Sequence, residues 1–307
     1  MIQRLKGKVA VVTGGGGGIG RGVCLELAAQ GASVVVNDMG GAVDGAGQSS
    51  GPADKVVAEI MESGGKAVAC YDSVATMAGG EKIIQTAVDT YGKIDILIHI
   101  AGILRDRMVF NMSEEEWDNV IAVHLKGMFT TAKHAAILMR QQKSGRIIGF
   151  SSTSGLFGNA GQSNYGAAKD GIAGFLRTVA RDLGKYGVTV NVISPTAGTR
   201  MTSTIGNSSV PVRASSGGGA DVDFTAEELG PDYIAPMVVY LCTDEAKDIN
   251  GQMFQVRGAD ISLLNNPFAV RTMEKDGRWT VDEIAELMPR ALLMDVHNPA
   301  PPAQPKS

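Results

Sequence analysis

Apolar runs rich in β-branched residues alternate along most of the chain with stretches of helical periodicity. The runs are nearly continuous in apolar side chains, as strands of a parallel sheet are when helices cover both of its faces. After the first run, Ile19, Val23 and Leu27 recur four residues apart, on one face of a helix. The alternation predicts an α/β fold, a Rossmann-type doubly wound parallel sheet with helices on both faces. The predicted strands are Lys8–Thr13, Ser33–Asp38, Ala67–Tyr71, Ile94–Ile100, Arg146–Ser151, Val188–Ile193 and Met253–Val256.

Two capping boxes mark the starts of further helices. Ser113 is followed three residues later by Glu116, and Thr280 is followed in the same way by Glu283. In such a pair the hydroxyl and the carboxylate each accept a hydrogen bond from the other residue's backbone N–H. The predicted helices run over 113–141 and 280–295.

The domain organisation follows from the absence of a linker near the middle of the chain. We expect one domain over residues 1–260 and a C-terminal extension over 261–307, with one helix and a disordered Pro-rich tail. Residues 40–51 form a Gly-rich loop after the second strand. Residues 203–230 are either a mobile surface loop or a lid over the substrate.

Composition narrows the functional class. The chain has 307 residues, of which 44% are hydrophobic and 20% charged, which is a globular balance. The net charge of −4 and the scattered basic residues argue against a nucleic-acid or membrane surface. The three cysteines are far apart, and no CxxC or HxxxH pattern is present, so we predict neither a disulfide framework nor a metal site. The longest apolar stretch, 94–104, is too short to span a bilayer. The N-terminus also lacks a signal-peptide core, and a soluble, cytoplasmic protein is expected.

A run of glycines lies between the first strand and the first helix, in the sequence VVTGGGGGIG of residues 11–20. Glycines in that context allow a tight turn and close approach of a pyrophosphate, while the helix N-terminus supplies N–H donors. The run fits two dinucleotide-binding registers, typical of different enzyme subclasses, and the competing interpretation is a flexible linker. The registers are Thr13-Gly14-x-x-x-Gly18-x-Gly20 and Gly14-x-x-Gly17-x-x-Gly20.

Asp38 ends the second predicted strand, 18 residues after Gly20. An acidic residue there accepts hydrogen bonds from the adenosine ribose and repels a 2′-phosphate. Because no Arg or Lys occupies residues 14–18 or 37–41, NAD is favoured over NADP. The alternative is that Asp38 is only a turn residue.

Candidate acid–base chemistry lies in the stretch 145–171. Tyr165 and Lys169 are four residues apart, so a helix stacks them on one face, and Ser152 precedes the tyrosine by thirteen residues. A tyrosine that exchanges protons near neutral pH needs its pKa lowered from about 10, and a neighbouring ammonium has this effect.

These features together resemble the short-chain dehydrogenase/reductase family, from Lys6 to about Gly258. The resemblance implies that Ser152 polarises the substrate oxygen, that Tyr165 exchanges the proton, and that Lys169 holds the nicotinamide ribose while lowering the tyrosine pKa. It implies that Asp72 contacts adenine. The cofactor contacts that it implies are Thr13, Gly14, Gly18, Ile19, Gly20, Asp38, Asp72, Ser73, Ala101, Gly102, Tyr165, Lys169 and Pro195.

The chain departs from the family pattern at two places. The usual Asn-Asn-Ala-Gly is His99-Ile100-Ala101-Gly102 here, and the catalytic asparagine of the fourth helix is His124. His124 is therefore either a member of the catalytic proton relay or a structural histidine.

A narrower resemblance is to the dehydrogenase domains of peroxisomal D-bifunctional proteins, carried by stretches such as VVVNDMGG, AGILRDR, VHLKGMF and PTAGTRMT. It implies NAD-dependent oxidation of a (3R)-3-hydroxyacyl-CoA, a fatty or steroid thioester, in a homodimer or homotetramer built on the helices at 113–141 and 164–186. The C-terminal Pro-Lys-Ser differs from a peroxisomal Ser-Lys-Leu, which keeps the expected location cytoplasmic.

Four other functions stay open on the sequence. They are a free hydroxysteroid dehydrogenase, a 3-oxoacyl-carrier-protein reductase, an extended nucleotide-sugar epimerase, and a non-enzymatic NAD(H)-sensing regulator. Asp38 argues against the reductase, which usually prefers NADPH. The short Pro-rich C-terminus argues against the epimerase, and the retained Tyr165 and Lys169 argue against the regulator. Four arginines near predicted strand ends are either contacts for CoA phosphates or ordinary surface residues: Arg105, Arg107, Arg200 and Arg213.

Overall fold

The computed structural model describes residues 3–198, 229–296 and 298–300. It contains one sheet with the strand order β3-β2-β1-β4-β5-β6-β7-β8, in which every pairing is parallel except that of β7 with β8. The predicted doubly wound α/β fold is therefore confirmed. The strands are β1 Val9–Thr13, β2 Ser33–Asn37, β3 Lys66–Cys70, β4 Ile96–His99, β5 Gly145–Phe150, β6 Val188–Thr196, β7 Met253–Arg257 and β8 Asp260–Leu264.

Helices cover both faces of this sheet. Two apolar clusters form the core, one on each side, and both include buried strand residues whose side chains alternate between the faces: Val12 faces one cluster and Val11 the other. The helices are α1 Gly18–Ala29, α2 Gly51–Glu62, α3 Met77–Tyr91, α4 Glu114–Ile121, α5 Gly127–Gln142, α6 Thr153–Leu156, α7 Ser163–Leu183, α8 Ala235–Tyr240 and α9 Val281–Ala291.

Both predicted capping boxes are present, at Ser113 with Glu116 and at Thr280 with Glu283. The helix predicted over 113–141 consists of α4 and α5 joined by one π-helical stretch, Ala122–Lys126, which widens the helix. That stretch carries His124 into the protein interior.

The edge strand β8 was not predicted. It turns back from β7 through Gly258 and Ala259, with Arg257 opposite Asp260. Because most of its side chains are exposed, it lacks the continuous apolar run that marks the interior strands. The expected domain boundary at residue 260 thus falls at the start of a strand that belongs to the sheet.

The three cysteines are free and buried, and burial raises the pKa of Cys24 and Cys242. In the described ranges no helix is long and apolar enough to cross a lipid bilayer. No group of three or more His, Cys, Asp or Glu side chains there is arranged to hold a metal ion. The 203–230 segment, interpreted above as a loop or lid, lies outside the described residues except for its last two positions, and the candidate arginines Arg200 and Arg213 lie outside them as well.

Candidate active site

A cleft of about 470 Å³ opens at the carboxyl ends of β1, β2, β4, β5 and β6. The strand order runs from β1 to β2 and β3 on one side and from β4 to β5 and β6 on the other. The switch in direction therefore lies between β1 and β4, and this is the usual ligand site of a doubly wound sheet. Most of the residues expected to bind the cofactor line this one cleft. They are Gly14, Gly18, Ile19, Gly20, Asp38, Asp72, Ser73, Ala101, Gly102, Tyr165, Lys169 and Pro195.

The glycine loop leaves no room for side chains at two positions. Gly14 has φ +69°, and a Cβ on it would lie 2.7 Å from the backbone nitrogen of Ala101. A Cβ on Gly20 would lie 1.9 Å from the carbonyl oxygen of Gly14. Helix α1 begins at Gly18 after Gly17, with no side chain capping its first turn and no acidic residue in it. Its first N–H groups therefore remain available to an anion, and the loop fits the pyrophosphate of a dinucleotide.

Asp38 is held by the backbone on both of its carboxylate oxygens. Oδ2 accepts a hydrogen bond from the Gly16 N–H at 2.9 Å, and Oδ1 accepts one from the Gly40 N–H at 2.7 Å. Each oxygen has a second lone pair that a ribose hydroxyl could use. Two further carboxylates, of Asp44 and Asp72, line the same cleft. The three carboxylates suit hydroxyl groups and disfavour an additional phosphate at Asp38, while Arg105 is a cation elsewhere in the cleft lining.

Asp72 follows β3, and the side chain of Asn37 fixes the turn that carries it. Asn37 Nδ2 donates to the carbonyl oxygens of Cys70 and Asp72, at 3.2 and 2.9 Å. The Asp72 carboxylate lies 3.7 Å from the exposed ammonium of Lys82. The buried Asn37 is thus a supporting residue that the sequence did not single out.

Helix α7 presents Tyr165 and Lys169 to the cleft one turn apart, as their spacing predicts. Lys169 is buried, and its Nζ donates to the Phe150 carbonyl oxygen at 2.9 Å. Ser152, at the start of α6, accepts from the Ser154 N–H at 3.2 Å and is close enough to the Tyr165 phenol to lower the tyrosine pKa. Tyr165 and Lys169 thus line the same cleft as the glycine loop, and Ser152 lies beside the tyrosine without lining the cleft itself.

The pKa of Tyr165 differs from the sequence expectation. Burial raises it to about 12, although the hydrogen bond from Ser152 acts in the opposite direction. Burial likewise lowers the pKa of Lys169 to about 7. The expectation that Lys169 holds the tyrosine pKa below 10 is wrong for the protein without ligands. Desolvation penalises the ionised form of each group.

The segment after β4 holds the N-terminal turn of α7 in position. Asn164 Nδ2 donates to the carbonyl oxygens of Arg105 and Glu116, at 2.9 and 3.0 Å, and its Oδ1 accepts from the Tyr165 N–H at 2.7 Å. Gln162 donates to the Asp106 carboxylate at 2.8 Å. The orientation of Tyr165 therefore depends on residues 105–106 as well as on its own helix.

His124 is buried behind the tyrosine and does not line the cleft. Its ring meets that of Tyr165 edge to face, with the centroids 5.2 Å apart. Its Nε2 lies 3.0 Å from the backbone nitrogen of Ile103 and 2.8 Å from the Ile103 carbonyl oxygen. Burial and the nearby Lys169 charge lower the pKa of His124 well below its usual value. The ring is neutral, and its contacts fit a residue that positions Tyr165.

Thr13 and His99 form a buried pair below the cleft, so Thr13 is not part of the cleft wall. The Thr13 hydroxyl lies 3.0 Å from His99 Nδ1 and accepts from the N–H groups of Ile100 and Ala101. Its one proton is then left for Nδ1, which leaves Nε2 of His99 protonated. That buried nitrogen has no hydrogen-bond partner among the described residues.

One wall of the cleft was not anticipated. Residues of the Gly-rich loop after β2 line it, namely Met39, Gly41, Ala42, Val43, Asp44, Gly45 and Gly47. The sequence marked this stretch only as a loop. A loop of this length directly after an expected ribose-binding residue is the signal that could have identified it.

Comparison with known proteins agrees with this geometry. The short chain dehydrogenase family model matches residues 8–209. Over 261 residues the chain is 46% identical to the mouse peroxisomal multifunctional enzyme type 2, covering 85% of this chain and 33% of that protein, so it spans about a third of that relative's length.

Two relatives are similar in size to this chain. A hydroxyacyl-CoA dehydrogenase of Mycobacterium tuberculosis is 40% identical over 289 residues, covering 91% of this chain and 87% of the relative. A 3-oxoacyl-[acyl-carrier-protein] reductase of Synechocystis is 40% identical over 261 residues, covering 84% of this chain and 98% of the relative.

Among solved structures, a short chain dehydrogenase from Mycobacterium avium superposes with a TM-score of 0.79 at 40% identity, covering 98% of both chains. With the family model matched over most of the chain and the fold shared throughout, the chain belongs to the short-chain dehydrogenase/reductase family and is an oxidoreductase acting on hydroxyl groups.

Proposed function

We propose that this chain uses NAD to oxidise the 3-hydroxyl of a (3R)-3-hydroxyacyl-CoA, a fatty or steroid side-chain thioester, to a ketone. The observation that carries the proposal is that Tyr165 and Lys169 line one cleft with the glycine loop, with Ser152 beside the Tyr165 phenol. An acid–base group and a dinucleotide site in one cleft are what alcohol oxidation requires.

The choice of NAD rests on Asp38 and its surroundings. The carboxylate is oriented by the Gly16 and Gly40 N–H groups, and Asp44 and Asp72 add negative charge to the same wall. A 2′-phosphate there would lie among carboxylates without a compensating cation from residues 37–41. We assign the adenosine ribose to Asp38, adenine to Asp72 and the pyrophosphate to the N-terminus of α1.

In the proposed reaction Tyr165 takes the proton from the substrate hydroxyl, and Ser152 holds the same oxygen by a hydrogen bond. NAD, when bound, supplies the acceptor for the hydride that leaves C3. Lys169 has two tasks, since its ammonium favours the phenolate form of Tyr165 and can bind a ribose hydroxyl. His124 orients the tyrosine ring and stays neutral while doing so.

The substrate class is supported by two relatives, a hydroxyacyl-CoA dehydrogenase and a peroxisomal multifunctional enzyme. The reductase relative favours an acyl-carrier-protein substrate as the main alternative, and its usual preference for NADPH conflicts with Asp38. A free hydroxysteroid is the second alternative. The non-enzymatic regulator is disfavoured because Ser152 and Lys169 are both retained and both lie near Tyr165.

We also propose a homodimer or homotetramer and a cytoplasmic location. Phe129 and Ile137 on α5 are 44% and 43% exposed, and Phe129 meets Phe175 of α7 edge to face. An exposed apolar surface shared by these two helices supports association through them. Sedimentation velocity and fractionation of cells carrying the tagged protein test the two proposals.

The test of function is turnover measured side by side. NAD reduction is followed with (3R)- and (3S)-3-hydroxyacyl-CoA, a free hydroxysteroid, and, in reverse, a 3-oxoacyl-carrier protein with NADH or NADPH. We expect the highest kcat/KM for the (3R) thioester with NAD. A clear preference for the free steroid, for the (3S) thioester or for NADPH would overturn the corresponding part of the proposal.

A further inference from the structure

Residues 39–49 of the loop after β2 form a compact flap that is closed at its base. The Ser49 N–H donates to the Met39 carbonyl oxygen at 2.8 Å, and a Cβ on Gly40 would lie 1.9 Å from the Ser49 carbonyl oxygen. Near the tip, the Ala42 N–H donates to the Ala46 carbonyl oxygen at 2.8 Å. A loop that bonds to itself in this way moves as a unit about its base.

The tip of the flap is docked on the segment that follows β4. The Leu104 N–H donates to the Val43 carbonyl oxygen at 2.9 Å, and Arg105 Nε donates to the Asp44 carbonyl oxygen at 2.7 Å. Gly45 packs against the Ile103 side chain, 3.3 Å from the position of its absent Cβ. The first contact joins two backbone groups, and the third involves the buried Ile103 side chain. The second is made by the Arg105 side chain outside the protein interior, so a substitution can remove it.

The sheet order determines what the flap crosses. Its base follows β2 and its tip rests on the segment after β4, while β1 with the glycine loop lies between those strands. The proposed cofactor runs from Asp38, past the glycine loop, to Tyr165 and Lys169. Both the flap and the glycine loop line that cleft, so the flap crosses the path of the cofactor.

We propose that Arg105 is a positioning residue that latches the flap of residues 39–49 across the cofactor cleft and thereby sets the rate of cofactor release. The inference rests on the cofactor site of the proposed function and is independent of the substrate. Arg105 acts on two sides, because its side chain holds the flap while its carbonyl oxygen accepts from Asn164, the neighbour of Tyr165. Arg105 therefore links the flap to the first turn of α7, which carries Tyr165.

The test is release of NADH from the full chain, measured by stopped-flow fluorescence for Arg105→Ala, Arg105→Lys and Arg107→Ala. Arg107 is the matched control, since it lies on the same segment but pairs with Glu116 of α4, at 3.0 Å. We expect Arg105→Ala to speed NADH release about tenfold with a much smaller change in the association rate. Arg105→Lys keeps a cationic donor and should recover part of the loss, and Arg107→Ala should behave as the wild type.

Hydrogen exchange of the Leu104 amide, which donates to Val43, reports the latch without any cofactor. We expect faster exchange in Arg105→Ala than in the wild type or Arg107→Ala. Unchanged exchange, unchanged NADH release, or an equal effect of Arg107→Ala would each overturn the proposal. Absence of NADH binding by the wild type would instead refute the cofactor assignment, and the exchange measurement would still decide whether Arg105 holds the flap.

Discussion

The Lys169 ammonium lies 5.5 Å from the centre of the Tyr165 ring and donates its hydrogen bond to the Phe150 carbonyl. Burial lowers the pKa of Lys169 to about 7 and raises that of Tyr165 to about 12. Each ion is disfavoured alone, whereas the two together attract each other across a poorly solvated gap. Loss of the tyrosine proton is therefore coupled to the charge of the lysine.

Lys169→Met should move the pH profile of alcohol oxidation to higher pH. The reaction needs the phenolate, and removing the cation disfavours that form, so the rising limb of kcat against pH, which reports the enzyme–substrate complex, should shift up by about 1–3 units. Lys185→Met is the control, because Lys185 lies 5.2 Å from the Tyr186 ring outside the cleft. Tyr165→Phe should remove activity at every pH. An unshifted limb in Lys169→Met would contradict the proposed coupling.

Asp38→Asn should weaken NAD and improve NADP relative to it. The amide removes the charge that repels a 2′-phosphate and one charge-assisted acceptor for the ribose, and we expect about a tenfold loss in kcat/KM with NAD. Asp44→Asn is the comparison: Asp44 adds charge to the same wall but is not held by the Gly16 and Gly40 N–H groups, so its variant should shift the cofactor ratio in the same direction by much less. The assignment of Asp38 to the ribose fails if the ratio of kcat/KM for the two cofactors is the same in Asp38→Asn and the wild type.

His99→Asn should make the free energy of unfolding less dependent on pH below about 6.5. Burial, followed by the charge of Lys169, lowers the pKa of His99 to about 3, against 6.5 in the unfolded chain. Below pH 6.5 the unfolded chain binds a proton that the folded protein does not, so stability falls as the pH falls from 6.5 towards 3. The slope from one such group is at most about 1.4 kcal/mol per pH unit.

Urea unfolding of the wild type and His99→Asn at pH 8, 7, 6 and 5 measures that slope. The variant should lose less stability between pH 6 and 5, while both proteins should change alike between pH 7 and 8. His124, whose pKa is also lowered, keeps its own contribution in both. Equal slopes below pH 6 would mean that His99 is not the titrating group.

Gly20→Ala should damage both folding and cofactor binding, whereas Gly174→Ala should not. A methyl group on Gly20 would collide with the Gly14 carbonyl oxygen at 1.9 Å, and such overpacking typically costs about 1–3 kcal/mol. A methyl group on Gly174 would meet only the Arg177 side chain, at 3.7 Å, and should gain up to about 1 kcal/mol of helix propensity. The free energy of unfolding and the NADH affinity are measured for both variants. Normal NADH affinity in Gly20→Ala would contradict the claim that the glycine loop has no room for a side chain at this position.

Much of the fold could be predicted because its signals are local. The buried strands are continuous apolar runs, and the capping boxes at Ser113 and Thr280 need only residues three positions apart. Cleft residues could be predicted where their spacing in the sequence places them side by side. Tyr165 and Lys169 are the example, since they lie one helical turn apart.

The rest depends on contacts that no local pattern encodes. The exposed strand β8 has no apolar run, and docking of the flap depends on Arg105 meeting Asp44, 61 residues away. The raised pKa of Tyr165 is set by how deeply the whole fold buries the phenol, which spacing does not reveal. The same holds for Thr13, whose side chain bonds His99 below the cleft instead of lining it.

That bond has a consequence for how the molecule assembles. Thr13 and His99 lie 86 residues apart, and β1 pairs with β4 only when the segment between them has closed into a loop. Contacts of high sequence separation form slowly, because the entropy of closing the loop is lost before the contact forms. A nascent chain that ends before residue 96 carries the whole glycine run and Asp38 but has no cleft. Nucleotide affinity should therefore arise late and abruptly during folding, once β4 has paired with β1.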